Sequence, residues 1–368
     1  MDKETLSNFK FKGEYKNHEK FGSGHINTTY LVTCQDENGE EYKYVVQKLN
    51  KNAFKDIDKL MDNVFSVTSF LRNKIKENGG DTERETLHYI KTKDDKKYYE
   101  SENGDCYRAY IYVKDSISHD SVDSAEVFKK SGEAFGKFQK LLSDYPAETL
   151  NETIPNFHNT KNRFLEFETA VKNDFSKRAD TCQKEIEFIK ARKDDCSVLV
   201  DLIEKGELPI RVTHNDTKLN NVMFDKNTDD CVCVIDLDTV MPGLALYDFG
   251  DSIRFGANTA VEDEKDLSKV SVSLEYFKAY VEGFLSQCGE NLCQAELDNL
   301  AYSAKLMTLE CGMRFLGDYL NGDVYFATAY PEHNLVRAKD QLALVADMES
   351  KMDEMKEIVK NAISDLNK

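Results

Sequence analysis

Apolar positions along the chain change rhythm more than once, and the changes mark out its regions. Up to about residue 115, short apolar runs alternate with polar turns: one run ends at Phe21, the next cover 29–34 and 42–49, and Asn38-Gly39 between the last two is a hairpin signal. Over 52–76 the spacing becomes helical, because Leu60, Val64, Val67, Leu71 and Ile75 recur at three- and four-residue steps before Gly79-Gly80. Two further strands are expected over 86–92 and 105–113. A helix over 125–142 follows, carrying Val127, Phe128, Ala134, Phe135, Phe138 and Leu141. Charged helices are expected from 161 to about 205, a compact strand-and-loop region over 210–237, and helices from 268 to the end, the last starting at Ala338. This order predicts an α+β chain with a small antiparallel-sheet region over 1–115 and a larger, mainly helical one over 116–368.

Composition agrees with two packed units. A chain of 368 residues exceeds what one hydrophobic core usually serves, and 40% hydrophobic with 32% charged residues is the balance of an ordered protein. The net charge of −18 argues against nucleic acid or an anionic membrane as partner, since both reward a basic surface. A polyanionic ligand would then need local cations. None of the nine cysteines forms a C-x-x-C pair, so reduced thiols and a cytoplasmic address are expected. Cys231 and Cys233 alternate in an apolar run and are expected to pack on one face as small hydrophobes. The polar start and the lack of a long apolar stretch predict neither leader nor membrane span. A monomer is expected.

The chemistry concentrates around residue 216. His214-Asn-Asp216-Thr-Lys218-Leu-Asn-Asn221 has the form H-x-D-x-x-x-x-N and precedes an apolar strand, which is the catalytic-loop pattern of kinases. Phosphoryl transfer needs a carboxylate to orient the attacking hydroxyl and accept its proton, a role for Asp216, and oxygen ligands for a metal on the phosphates. Asn221 supplies one such ligand. Asp236, at the end of the next apolar strand in Ile235-Asp-Leu-Asp238, supplies a second, so Mg²⁺ is the expected cofactor and ATP the co-substrate. Lys218 is placed to meet the charge of the transferring group, and His214 to hold the loop. The alternative for Asp236 and Asp238 is a turn cap.

Gly22-Ser23-Gly24-His25-Ile26-Asn27-Thr28 joins two strands. A Walker or Rossmann glycine loop opens a helix; this one returns as a strand, so it is read as a hairpin tip covering phosphates, with Gly22, Ser23, Gly24, Asn27 and Thr28 as nucleotide contacts. Lys48 on the third strand is the candidate phosphate cation, with Gln47 facing the other way, and alternation alone leaves open which of them faces inward. The following helix offers Asp56, Asp58 and Asp62 in place of a well-placed glutamate. Asp248 and Asp251 are read as supporting or helix-capping carboxylates; the letters Asp248-Phe-Gly250 follow no buried strand and are not taken as a metal motif.

H-N-D-x-x-x-x-N with I-D-L-D resembles the aminoglycoside phosphotransferase and choline kinase superfamily, and so implies the protein-kinase-like two-lobe fold. The block from Ile235 to Arg254 is similar, more tightly, to the bacterial N-acetylhexosamine 1-kinases. That resemblance implies transfer of the γ-phosphate of ATP to the anomeric hydroxyl of N-acetylglucosamine or N-acetylgalactosamine. It also implies sugar contacts from His25, Arg314 and Tyr325, beside Asp216. For Arg314 the plainer alternative is a helix ion pair with Glu310 or Asp318, four residues to either side. For the whole chain the alternatives are a kinase of another small alcohol, such as an amino alcohol, an aminoglycoside or a homoserine-like compound, and a silent ATP-binding module.

Overall fold

The computed structural model describes residues 1–22 and 27–366. The expected contacts Ser23, Gly24 and His25 lie outside the described residues. The chain forms two compact units: Met1–Ser118 with Asp144–Ile154 and Val222–Met241, and His119–Ser143 with Pro155–Asn221 and Pro242–Lys368.

The first unit opens with a helix that the apolar rhythm does not announce, α1 (Lys3–Ser7), capped by the Asp2 carboxylate; its Leu6 enters the core beside Val32, Cys34, Val46 and Ala109. A meander follows: β1 (Glu14–Lys20), β2 (Thr28–Gln35) and β3 (Glu41–Lys48) pair antiparallel in order. The β2–β3 turn closes where Asn38-Gly39 predicts it, with Gly39 at φ 84°, a backbone that glycine adopts without strain. Then comes α2 (Ile57–Glu77), which buries Leu60, Val64, Val67, Leu71 and Ile75 as its spacing requires. Short β4 (Tyr89–Ile90) and β5 (Tyr99–Glu100) flank β6 (Cys106–Ile111), which pairs with β3. β7 (Ser116–Ile117) joins a second, smaller sheet described below.

In the second unit α3 (Ala125–Leu141) packs on a later helix so closely that a Cβ on Gly132 or Gly136 would strike backbone carbonyls of that helix. The charged region resolves into α4 (Thr160–Asn173), α5 (Gln183–Lys190) and α6 (Val198–Glu204). β8 (Arg211–Thr213) leads into the His214–Asn221 loop. β9 (Val222–Asp225) and β10 (Cys231–Val234) return to the first unit as a hairpin beside β7. Register shifts between Cys231 and Cys233, so the two thiols are unequally placed: Cys233 is buried and Cys231 only partly so. α7 (Ala245–Gly256) is buried along nearly its whole length. The remaining helices are α8 (Leu274–Cys288), which is the partner of α3, α9 (Gln294–Asn321), α10 (His333–Ser350) and α11 (Met352–Leu366). The single last helix expected from Ala338 is thus two helices, the first starting five residues earlier. No described helix is long and apolar enough to cross a membrane.

Candidate active site

In the second unit the H-x-D-x-x-x-x-N loop hangs from one carboxylate. Asp248, fully buried on α7, accepts the backbone N–H of His214 (2.9 Å) and of Asn215 (2.8 Å) and the Gln139 amide from α3 (2.8 Å). Burial pushes its pKa up, against the pull of these donors and of His214. Asn215 is held at φ 64°, a left-handed conformation that asparagine tolerates better than most residues. The His214 ring sits edge-on to Phe135 and Phe138. Further along, Thr217 donates its hydroxyl to the Asp248 carbonyl, and its N–H reaches Asp251 at 3.2 Å. Asp248 is therefore a helical hub with no resemblance to a metal carboxylate on a strand end.

This frame brings Asp216, Lys218 and Asn221 together. The Asn221 amide donates to the Asp216 carbonyl (2.8 Å) and carboxylate (3.1 Å), which leaves the Asn221 side-chain oxygen as an acceptor for another group. Lys218 Nζ lies 3.1 Å from the other Asp216 oxygen, and that carboxylate raises the lysine pKa. Burial pushes Asp251 up, but Arg254 and Lys218 outweigh it and hold its pKa below the usual range. Arg254 also pairs with Glu262.

Arg314, on α9, lies 5.1, 5.5 and 5.8 Å from the ring centroids of Phe157, Phe326 and Tyr325, and 3.5 Å from the Tyr325 hydroxyl. Its helix ion pair to Glu310 is long, 3.8 Å, because Glu310 is held by His158 at 3.0 Å. The other candidate partner, Asp318, turns elsewhere and accepts the N–H groups of Val324, Tyr325 and Phe326, each at 2.9 Å. It thereby presents Tyr325, whose side chain is 66% exposed. Burial pushes the Cys311 thiol up to about 12, against the pull of Arg254 and Arg314.

The first unit decides between Gln47 and Lys48 by register. Thr29, Gln47 and Arg108 are paired residues on β2, β3 and β6, and so share one face of the sheet. Gln47 accepts from Arg108 Nε (2.9 Å) and donates to Thr29 (3.2 Å). Lys48 points the other way, to Asp105 at 2.6 Å, with about two-fifths of its side chain exposed. None of the α2 carboxylates reaches it: Asp56 caps the helix, Asp58 accepts from Tyr98, and Asp62 pairs with Lys97. Arg108 is buried and forms an ion pair with Asp238. Asn27 donates to the second Asp238 oxygen at 2.8 Å and accepts the Asn50 N–H at 3.0 Å. Asp238 is therefore a paired, buried carboxylate and not a simple turn cap. Asp236 leaves the β9–β10 hairpin at φ 58°, ψ 58°, a left-handed conformation that aspartate, like asparagine, adopts more readily than most residues. Gly22 is also at positive φ, and the Phe21 N–H donates to the Thr29 carbonyl at 2.9 Å.

A profile of the phosphotransferase enzyme family matches residues 18–268. The chain belongs to that family. Among solved structures, this phosphotransferase shares its fold with an aminoglycoside phosphotransferase from Alicyclobacillus acidocaldarius, at 12% identity and TM-score 0.59, over 96% of this chain and 97% of that one. A microcompartment-associated aminopropanol kinase matches at 14% and 0.58 over the same shares. Choline kinase from Cryptosporidium parvum matches at 14% and 0.51, over 92% and 90%. The expected kinase-like fold, with an antiparallel-sheet N-terminal region and a mainly helical C-terminal part, holds.

Several residues of the phosphotransferase escape a linear reading. Arg108 carries no motif and is recognised only by its register against Gln47. Asn63, buried on α2 where an acid was sought, donates to the Val240 carbonyl (3.0 Å) and so braces the loop after Asp238. Asp318 has the spacing of an ion-pair partner and serves as a loop anchor.

Proposed function

We propose that this phosphotransferase transfers the γ-phosphate of ATP to the anomeric hydroxyl of an N-acetylhexosamine. Asp216 orients that hydroxyl and accepts its proton, and Lys218 balances charge on the transferring group. Gly22, Asn27 and Thr28 would contact the phosphates of the nucleotide. Asn221 and Asp236 would hold a divalent metal, Mg²⁺, each within two residues of the Val222–Val234 pairing that closes the β9–β10 hairpin. The donor chemistry fits: the Asn221 oxygen is left over by its amide's bonds, and hard oxygens suit an ion that completes its shell with water and phosphate. When bound, the ion would neutralise charge on the phosphates.

The observation that carries the acceptor is the Arg314 platform. A guanidinium ringed by Phe157, Tyr325 and Phe326 offers hydrogen-bond donors and flat apolar surface, which suits a neutral ring of hydroxyls with an acetamido group better than a cation. The second reading, an amino-alcohol acceptor, draws on the acidic pair Asp251 and Glu262 and on the aminopropanol and choline kinases that share the fold.

An ADP-release screen over hexoses, N-acetylhexosamines and amino alcohols tests both. Phosphorylation at the anomeric carbon removes the reducing end, so ADP release must be matched by equimolar loss of reducing sugar. ADP release with an amino alcohol alone would replace the sugar reading by the second one.

A further inference from the structure

Resting on the phosphotransferase reading, we infer that the buried Arg108–Asp238 ion pair is a positioning device that fixes the metal carboxylate Asp236. It does so in place of a pair between a strand lysine and a helix acid. The α2 acids are engaged at the surface, Lys48 is engaged by Asp105, and the inward strand position is the neutral Gln47. The fixed cation of this sheet is instead Arg108, opposite Gln47 on the next strand and buried under Tyr89, whose ring centroid is 5.6 Å away. Its orientation is set at two points. Nε is tied to Gln47, and Nη1 is thereby aimed at Asp238.

Asp238 is held from both sides, by Arg108 on one oxygen and by the Asn27 amide on the other. It lies two residues beyond Asp236, whose backbone is left-handed. Asn63 takes the Val240 carbonyl, two residues further on. One short loop is thus pinned at Asp238 and Val240, and Asp236 is carried on the pinned side. Asn27, which immediately precedes β2, is fixed to the same carboxylate, so the start of β2 and the metal loop share an anchor. A buried ion pair is weak evidence of stability, because apolar residues of similar volume often serve as well. Retention of this one in the sheet is accounted for by position.

The full-length protein tests this through nucleotide binding measured calorimetrically with and without Mg²⁺, alongside the thermal midpoint, none of which depends on the acceptor. The double variant Arg108→Met/Asp238→Leu replaces the pair by apolar groups. It is expected to keep a cooperative melt and to lose about tenfold or more of the affinity that Mg²⁺ adds, over and above the metal-free ATP affinity lost by freeing Asn27, which the titration without Mg²⁺ measures separately. Arg108→Lys keeps the charge and is expected to recover part of that loss. Should the double variant fail to fold, Gln47→Leu, which leaves the pair but frees Nε, is expected to weaken the Mg²⁺ contribution about threefold. An Mg²⁺ contribution equal in wild type and folded variants overturns the inference alone. A wild type that binds no nucleotide overturns the phosphotransferase reading and this inference with it.

Discussion

Two buried carboxylates organise the two units, and they are satisfied differently. Asp248 accepts three neutral donors, two of them backbone N–H groups of the loop it holds. Asp238 is balanced by a full cation, Arg108, with one amide in support. The first arrangement fixes the backbone, because N–H groups follow the chain wherever it goes; the second fixes a side chain and depends on strand register. A loop that must present Asp216, Lys218 and Asn221 in one conformation is served by the first. A sheet that lacks an inward lysine is served by the second.

The comparison can be broken from the Asp248 side. Asp248→Asn keeps the shape but turns an amide against at least one loop N–H, and should cost about 2–3 kcal/mol of stability together with most of the turnover. Urea melts and initial rates measure both. Unchanged rates would mean that the loop holds itself.

Asp340, on α10, sharpens the comparison, because it is buried without such a set of donors. One oxygen accepts from Asn258 and Gln341, while the other has no partner, and burial pushes the pKa up to about 7 from 3.8. A carboxyl raised on folding stabilises below its unfolded value and loses that contribution as pH rises through the folded one. Stability should therefore fall between about pH 4 and 7 and level off above, by at most about 4 kcal/mol from this group. Asp340→Asn should flatten that slope in melts taken across the same window. A slope that survives the substitution belongs to other groups.

Smaller effects follow at the platform and the sheet face. If the Arg314 platform holds the acceptor as proposed, Arg314→Ala should raise the acceptor KM about tenfold and leave the ATP KM within about twofold. Lys48→Met should change least: its half-exposed pair with Asp105 is worth under about 1 kcal/mol, and Mg²⁺–ATP affinity should stay within about twofold. A large loss there would return the strand lysine to the phosphates and remove the reason for an arginine substitute.

What the sequence revealed follows the same division. The H-x-D-x-x-x-x-N loop and Ile235-Asp-Leu-Asp238 were legible because their chemistry depends on short, fixed spacing. Helix α2 and the β2–β3 turn were legible for the same reason: periodicity and Asn38-Gly39 are local. Arg108 was not, because only the pairing of β3 with β6 sets it against Gln47, and a period of two cannot tell which of Gln47 and Lys48 turns inward. The hub role of Asp248 is not local either, since its three donors come from segments as far away as Gln139. The return of 222–241 to the first unit is likewise a tertiary fact, set by β9 pairing with β7.

The most direct measurement compares wild type with Asp216→Asn for ADP release and for Mg²⁺–ATP binding in the same preparation. The account predicts a fall in turnover of about 10³-fold or more, with nucleotide affinity within about threefold of wild type, because the carboxylate acts on the acceptor hydroxyl. Turnover that survives the substitution would contradict it, and so would a loss explained wholly by lost nucleotide binding.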